Sequence, residues 1–158
     1  MSIKAMPSMP ELEFVFELHV DVAPAMELGN TAHGVRRVIP ITSGTVSGPR
    51  LKGKILNCGA DWQTVRQDGV AELDARYLIE SEEGVLIEVH NCGNRFGAAK
   101  VIERMAAGEP VDPSEYYFRT VPCFEVSDPR YAWLTKNIFL CSGERRKSEV
   151  ILQVWMVR

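Results

Sequence analysis

Nowhere in these 158 residues is there an unbroken apolar run of the about 18 that a membrane-spanning helix needs. No CxxC pair occurs, and the 4 cysteines stand apart at Cys58, Cys92, Cys123 and Cys141. Such spacing disfavours redox and zinc motifs and favours packing as small hydrophobes. The 3 histidines, His19, His33 and His90, show neither HxH nor HExxH spacing. The reading therefore predicts no dedicated metal site and no cofactor. Basic excess is missing too: a net charge of -3 argues against a nucleic-acid partner. No GxGxxG opens a helix, no Walker A loop cradles a phosphate, and no GxSxG elbow presents a serine. Met1 to Glu11 carries Pro7 and Pro10 but no apolar signal core, so the expectation is a cytoplasmic chain without a membrane partner.

What is present is ordinary globular composition, 46% hydrophobic and 25% charged. The length suits one domain, expected over 11–158 behind a flexible lead at 1–10. A period of two dominates. Leu12, Phe14, Phe16, Leu18 and Val20 alternate with Glu13, Val15, Glu17 and His19. Further strands are expected at Val35 to Ile41, Leu51 to Leu56, Ala75 to Glu80, Val85 to Asn91, Tyr116 to Glu125, Asn137 to Ser142 and Val150 to Val157. Gln67-Asp68-Gly69 and Ser81-Glu82-Glu83-Gly84 read as hairpin turns, because glycine supplies the positive φ that tight turns require. A helix is expected at Ala98 to Ala107, stopped by Gly108 and Pro110, and a helical turn fits Pro129 to Leu134. Short strands with tight turns and a single main helix predict an all-β fold: one antiparallel, lipocalin-like β-barrel.

Candidate chemistry follows the same alternation. Asp61 and Trp62 lie beside a glycine-containing turn, where the carboxylate is either solvated or a proton acceptor at a cavity mouth. Asp74 and Arg76 share one strand face while Leu73, Ala75 and Tyr77 share the other. Charges on such a face either meet water or line a polar cavity. The favoured reading turns the Asp–Arg pair inward to orient a carbonyl or carboxylate, with Tyr77 in a packed outer layer. Tyr117 and Arg119 repeat that polar-aromatic face, and Tyr131 and Trp133 after Asp128-Pro129 either cover an end of the core or form a lid over a ligand. His33-Gly34-Val35-Arg36-Arg37 is read as a solvated face, and a turn is expected at Gly143 to Ser148.

At these residues the chain resembles the family called domain of unknown function 3237, or uncharacterised protein family 0311. The resemblance runs through Arg36-Arg37-Val38-Ile39-Pro40-Ile41-Thr42, Gly48-Pro49-Arg50-Leu51-Lys52-Gly53, Gly59-Ala60-Asp61-Trp62-Gln63, Leu73-Asp74-Ala75-Arg76-Tyr77, Tyr117-Phe118-Arg119-Thr120, and Pro122-Cys123-Phe124-Glu125 through Leu134. It covers roughly 11–158. Ala60 stands where the family more often has a second glycine. The resemblance implies a small bacterial β-barrel, some of whose relatives add water to conjugated unsaturated ketones. Such chemistry needs a base to direct water and a cation to hold the developing enolate. The expectation is a hydro-lyase with Asp61, Asp74 and Arg76 catalytic and Trp62, Tyr117, Arg119, Tyr131 and Trp133 contacting the substrate. A non-catalytic barrel binding a hydrophobic or phenolic ligand is the alternative. A small molecule is the expected partner, and a homo-oligomer is left open.

Overall fold

The computed structural model describes residues 5–158, so the first part of the expected lead lies outside the described residues. Strands take up 59% of the structure. They are β1 (Leu12–Val22), β2 (Met26–Thr31), β3 (Gly34–Ser47), β4 (Gly53–Ile55), β5 (Gly59–Val65), β6 (Ala71–Ser81), β7 (Leu86–Gly97), β8 (Tyr116–Glu125), β9 (Ile138–Arg145) and β10 (Glu149–Val157). Every pairing is antiparallel. β3 meets β4 and β5, these meet β6, and a meander then runs through β7, β8, β9 and β10 to β1, which closes back on β3. Two wall positions are filled by broken strands, β1 with β2 and β4 with β5, giving a closed 8-strand barrel. Closure matters because it leaves no long unpaired edge.

Local chemistry explains most element ends. Ala23-Pro24-Ala25 interrupts the first wall strand, since proline cannot donate to a ladder. At the Asp68-Gly69 turn, Gly69 sits at φ 88° and its N–H reaches the Arg66 carbonyl at 3.0 Å. Where β3 crosses β1, a Cβ on Gly44 would lie 2.2 Å from the His19 carbonyl oxygen, so only glycine permits the approach. The alternation expected for β1 changes phase midway. Its register with β10 shifts between Phe14 and Phe16, and the bulge puts Val15 and Phe16 inside together. Phe14 instead packs edge-on against Trp155 at 5.5 Å.

The two ends of the barrel differ. At one end a 3-10 turn (Pro129–Tyr131) and α2 (Trp133–Lys136) form an aromatic plug. Asp128 starts it, accepting from the Arg130 N–H at 2.9 Å. Trp133 lies 5.8 Å from Phe139, Phe139 lies 5.3 Å from Phe124, and Leu134 is fully buried beneath them. At the other end α1 (Ala99–Ala106) leaves β7 and lies over the mouth, presenting Ile102 and Met105 to it. Among the described residues no helix is long and apolar enough to cross a membrane.

Candidate active site

Inside the barrel, towards the α1 end, is a chamber of ≈ 50 Å³ lined by Asp61, Gln63, Tyr77, Asn91, Arg95 and Arg145 among apolar side chains. Ile39, Arg95 and Arg145 are shared with a vestibule of ≈ 330 Å³ that adds Arg37, Lys147 and Glu27. Each polar group arrives by alternation. On β7, Ile87, Val89, Asn91 and Arg95 are in phase and buried. On β9, Arg145 is in phase with the buried Phe139, Cys141 and Gly143. On β5, Asp61 and Gln63 face inward while Trp62 between them faces out.

Asp61 is held at both oxygens. Gln63 donates from Nε2 to Oδ2 at 2.7 Å, and the Asp74 backbone N–H donates to Oδ1 at 2.9 Å. The second bond fills a gap in the β5–β6 ladder between the Asp61–Ala75 and Thr64–Glu72 pairs. Gln63 is itself oriented by Arg37, whose Nε donates to its Oε1 at 2.8 Å. Burial pushes the Asp61 carboxyl above its ordinary range, against the opposing pull of these bonds and of Arg95. Burial also lowers the Arg95 guanidinium to about 10, reinforced by repulsion from Arg145 and Arg37. Arg145 is lowered too, by burial first and then by repulsion from Arg37.

Partner accounting singles out Arg95. It is 8% exposed, yet its guanidinium makes no hydrogen bond or ion pair among the described residues and only faces the Phe118 ring at 5.5 Å. Among the described residues the Tyr77 hydroxyl, the Asn91 Oδ1 and the Arg145 Nη1 are fully buried atoms without partners. Buried polar groups are normally satisfied, so this many around one chamber sets it apart from the rest of the interior. Over chamber and vestibule together Arg37, Arg95, Arg145 and Lys147 outnumber the carboxylates of Asp61 and Glu27, a positive excess that would suit negative charge.

The expected inward set is corrected by this arrangement. Asp74, Arg76, Tyr117 and Arg119 all lie on the outer wall. Asp74 meets His90 at 2.7 Å and Arg76 approaches Glu88 at 3.8 Å. Tyr117 stacks on Phe96 with centroids 4.8 Å apart, and Arg119 donates to the Phe118 carbonyl at 2.9 Å. Their apolar alternates, Leu73, Tyr77 and Phe118, fill the interior because burial of those side chains outweighs any gain from enclosing a pair of charges. Tyr77 thus belongs to the chamber rather than to an outer layer. Trp62 is 52% exposed on the outer wall. Tyr131 and Trp133 belong to the plug: Tyr131 donates to Glu83, and the Arg50 guanidinium lies 4.0 Å from the Trp133 ring centroid. Of the expected residues, Asp61 alone reaches the chamber. Arg95 and Arg145 were missed because β7 runs on to Gly97 and β9 to Arg145, beyond the ends read from the sequence, whereas Arg37 lay within the expected strand and was read as solvated. A signal existed: a charged residue falling in phase with buried ones.

Fold and lining together define a class, a closed antiparallel barrel with one ionisable interior site entered from the helix-covered end. The chain belongs to the family described as Protein of unknown function (DUF3237), whose model matches residues 10–157. A UPF0311 protein from Clostridium acetobutylicum is 41% identical over 146 residues, 92% of each chain. A beta-barrel like protein from Acinetobacter baumannii, solved as a crystal structure, is similar at 42% identity and a TM-score of 0.86, covering 98% of this chain and 100% of its own. More distantly, the hydroalkoxylation enzyme phnH of Penicillium herquei is 30% identical over 83 residues, 52% of this chain and 55% of its own.

Proposed function

We propose that this barrel is a cofactor-independent hydro-lyase adding water to small conjugated carbonyl compounds, with Asp61 as acid–base and Arg95 and Arg145 as the oxyanion-stabilising pair. The observation that carries the reading is Arg95, a buried guanidinium without a protein partner in a chamber whose one carboxylate is Asp61. Conjugate hydration needs those two functions. Asp61 takes a proton from water as its oxygen bonds to the β-carbon, and the π electrons move onto the carbonyl oxygen. The guanidiniums stabilise that enolate, and Asp61 returns the proton to the α-carbon. A raised carboxyl pKa makes both transfers easier near neutral pH. Hydroalkoxylation, named for the Penicillium relative, also adds an O–H across a carbon–carbon multiple bond, and supports the same class of chemistry.

The shape of the site narrows the substrate. The inner chamber is small, so the reacting carbonyl end enters it while the bulk of the molecule occupies the vestibule against Ile102 and Met105. The test is incubation of a panel of small enones with wild type and Asp61→Asn. Hydration by wild type that falls by at least about 100-fold in the variant supports the lyase. Saturable binding with no turnover supports a carrier instead, and neither outcome in any panel member removes the site assignment.

A further inference from the structure

On the outer wall, away from the chamber, β6 and β7 bring together a carboxylate, an imidazole and a thiol from separate parts of the chain. Asp74 is directly opposite Cys92 in the ladder, and His90 lies two residues from Cys92 on the same face. The Asp74 Oδ1 is 2.7 Å from the His90 Nε2 and 3.6 Å from the Cys92 Sγ, while that Sγ is 3.4 Å from the Nε2. All three ligating atoms lie within 4.8 Å of one another.

We propose that Asp74, His90 and Cys92 form a surface site for a divalent transition-metal ion of the zinc class, with its remaining position open to solvent. Zinc bound tetrahedrally to nitrogen, oxygen and sulfur at about 2.0–2.3 Å sets its donors about 3.3–3.6 Å apart. Both distances to sulfur already have that spacing. The shorter Asp74–His90 contact is that of a proton shared between two donors, and replacing the proton by a metal requires only a small opening of exposed side chains. A mixed N, O, S set suits zinc and cobalt and is a poor match for magnesium or calcium, which take oxygen ligands.

The competing reading, a Cys–His–Asp catalytic relay, is disfavoured by geometry. In a relay the acid and the nucleophile contact opposite ring nitrogens, whereas here Asp74 and Cys92 both approach Nε2. Convergence on one nitrogen lone pair is what a shared metal demands. The proposal runs against the expectation of no metal site, which relied on sequence-near spacing. The signal was His90-Asn91-Cys92, two donors at i and i+2 on one strand face, completed by a neighbour that only the β6–β7 register supplies.

The test is titration of the reduced, untagged protein with Co²⁺ alone. We expect one equivalent per chain with a sulfur-to-cobalt charge-transfer band in the near ultraviolet. Cys92→Ser should abolish the band, and His90→Ala should weaken binding by at least about tenfold. Asp74→Asn should weaken it less. Cys123→Ser removes the thiol opposite His90 on β8 and should leave the band intact. Circular dichroism of each variant separates loss of the site from loss of the fold. Absence of binding by wild type overturns the proposal, as does a band that survives Cys92→Ser in folded protein or disappears in Cys123→Ser.

Discussion

The two ends of this barrel are built from the same strands and obey opposite rules. At the plugged end Phe16, Phe124, Trp133, Leu134 and Phe139 interlock, and the polar groups nearby are paired, Tyr131 with Glu83 and Arg50 over Trp133. At the mouth Arg37, Arg95, Arg145 and Lys147 outnumber the carboxylates of Asp61 and Glu27, and several buried polar atoms have no partner among the described residues. Apolar packing is concentrated at the first end and unpaired polar groups at the second. Buried unpaired charge is tolerated at the mouth because the plug and the closed wall supply the stabilisation it consumes.

The sharpest way to break that contrast is truncation at the plug. Phe139→Ala removes a side chain 1% exposed and should cost about 3–5 kcal/mol of stability, read from denaturant melts. If the ends are independent, the part of the population that stays folded binds ligand as wild type does. A change at the mouth should do the reverse. Arg95→Met exchanges a buried, unpartnered cation for an apolar chain of similar reach, so stability should stay level or rise by about 0–2 kcal/mol. Affinity for an anionic or enolisable ligand should fall at least about tenfold. A large destabilisation by Arg95→Met would mean that the guanidinium holds the fold together, and the contrast between the ends would fail.

The smallest effect lies on the wall between them. His19 on β1 sits between Glu149, 2.7 Å from Nδ1, and Glu17, 2.6 Å from Nε2. Partial burial opposes the charged ring, but the two carboxylates outweigh it and raise the pKa above 6.5. The folded state therefore holds the proton more tightly than the unfolded chain. The resulting stabilisation is fully present below pH 6.5 and is lost as pH rises through the folded value. His19→Gln should flatten that slope in melting temperature measured against pH, with only a small change because the group is partly solvated. A variant with the wild-type slope would show that His19 is not its source.

Much of the architecture was legible in the chain. The Asp68-Gly69 and Ser81–Gly84 turns, the helix after β7 and most of the strands follow from local rules that need no partner: glycine at positive φ, period-two alternation, and helix formers ending at glycine. The bulge in β1 was not legible, because an extra residue is placed by the register with β10 rather than by its own sequence.

For the site, the sequence alone determined which side chains share a face: Asp74 with Arg76, and Tyr117 with Arg119. It did not determine which face is inside, and for Asp74, Arg76, Tyr117 and Arg119 the expected direction was reversed. Direction is set by closure, when all the strands together choose the face that buries the most apolar area. Closure then carries in whatever polar residues are in phase with that face, so Arg95 and Arg145 enter with Val89 and Phe139. Convergence is also a tertiary property. Asp61 and Arg95 line one chamber inside the barrel, and Asp74 meets His90 and Cys92 outside it, only because ladder registers bring different strands side by side.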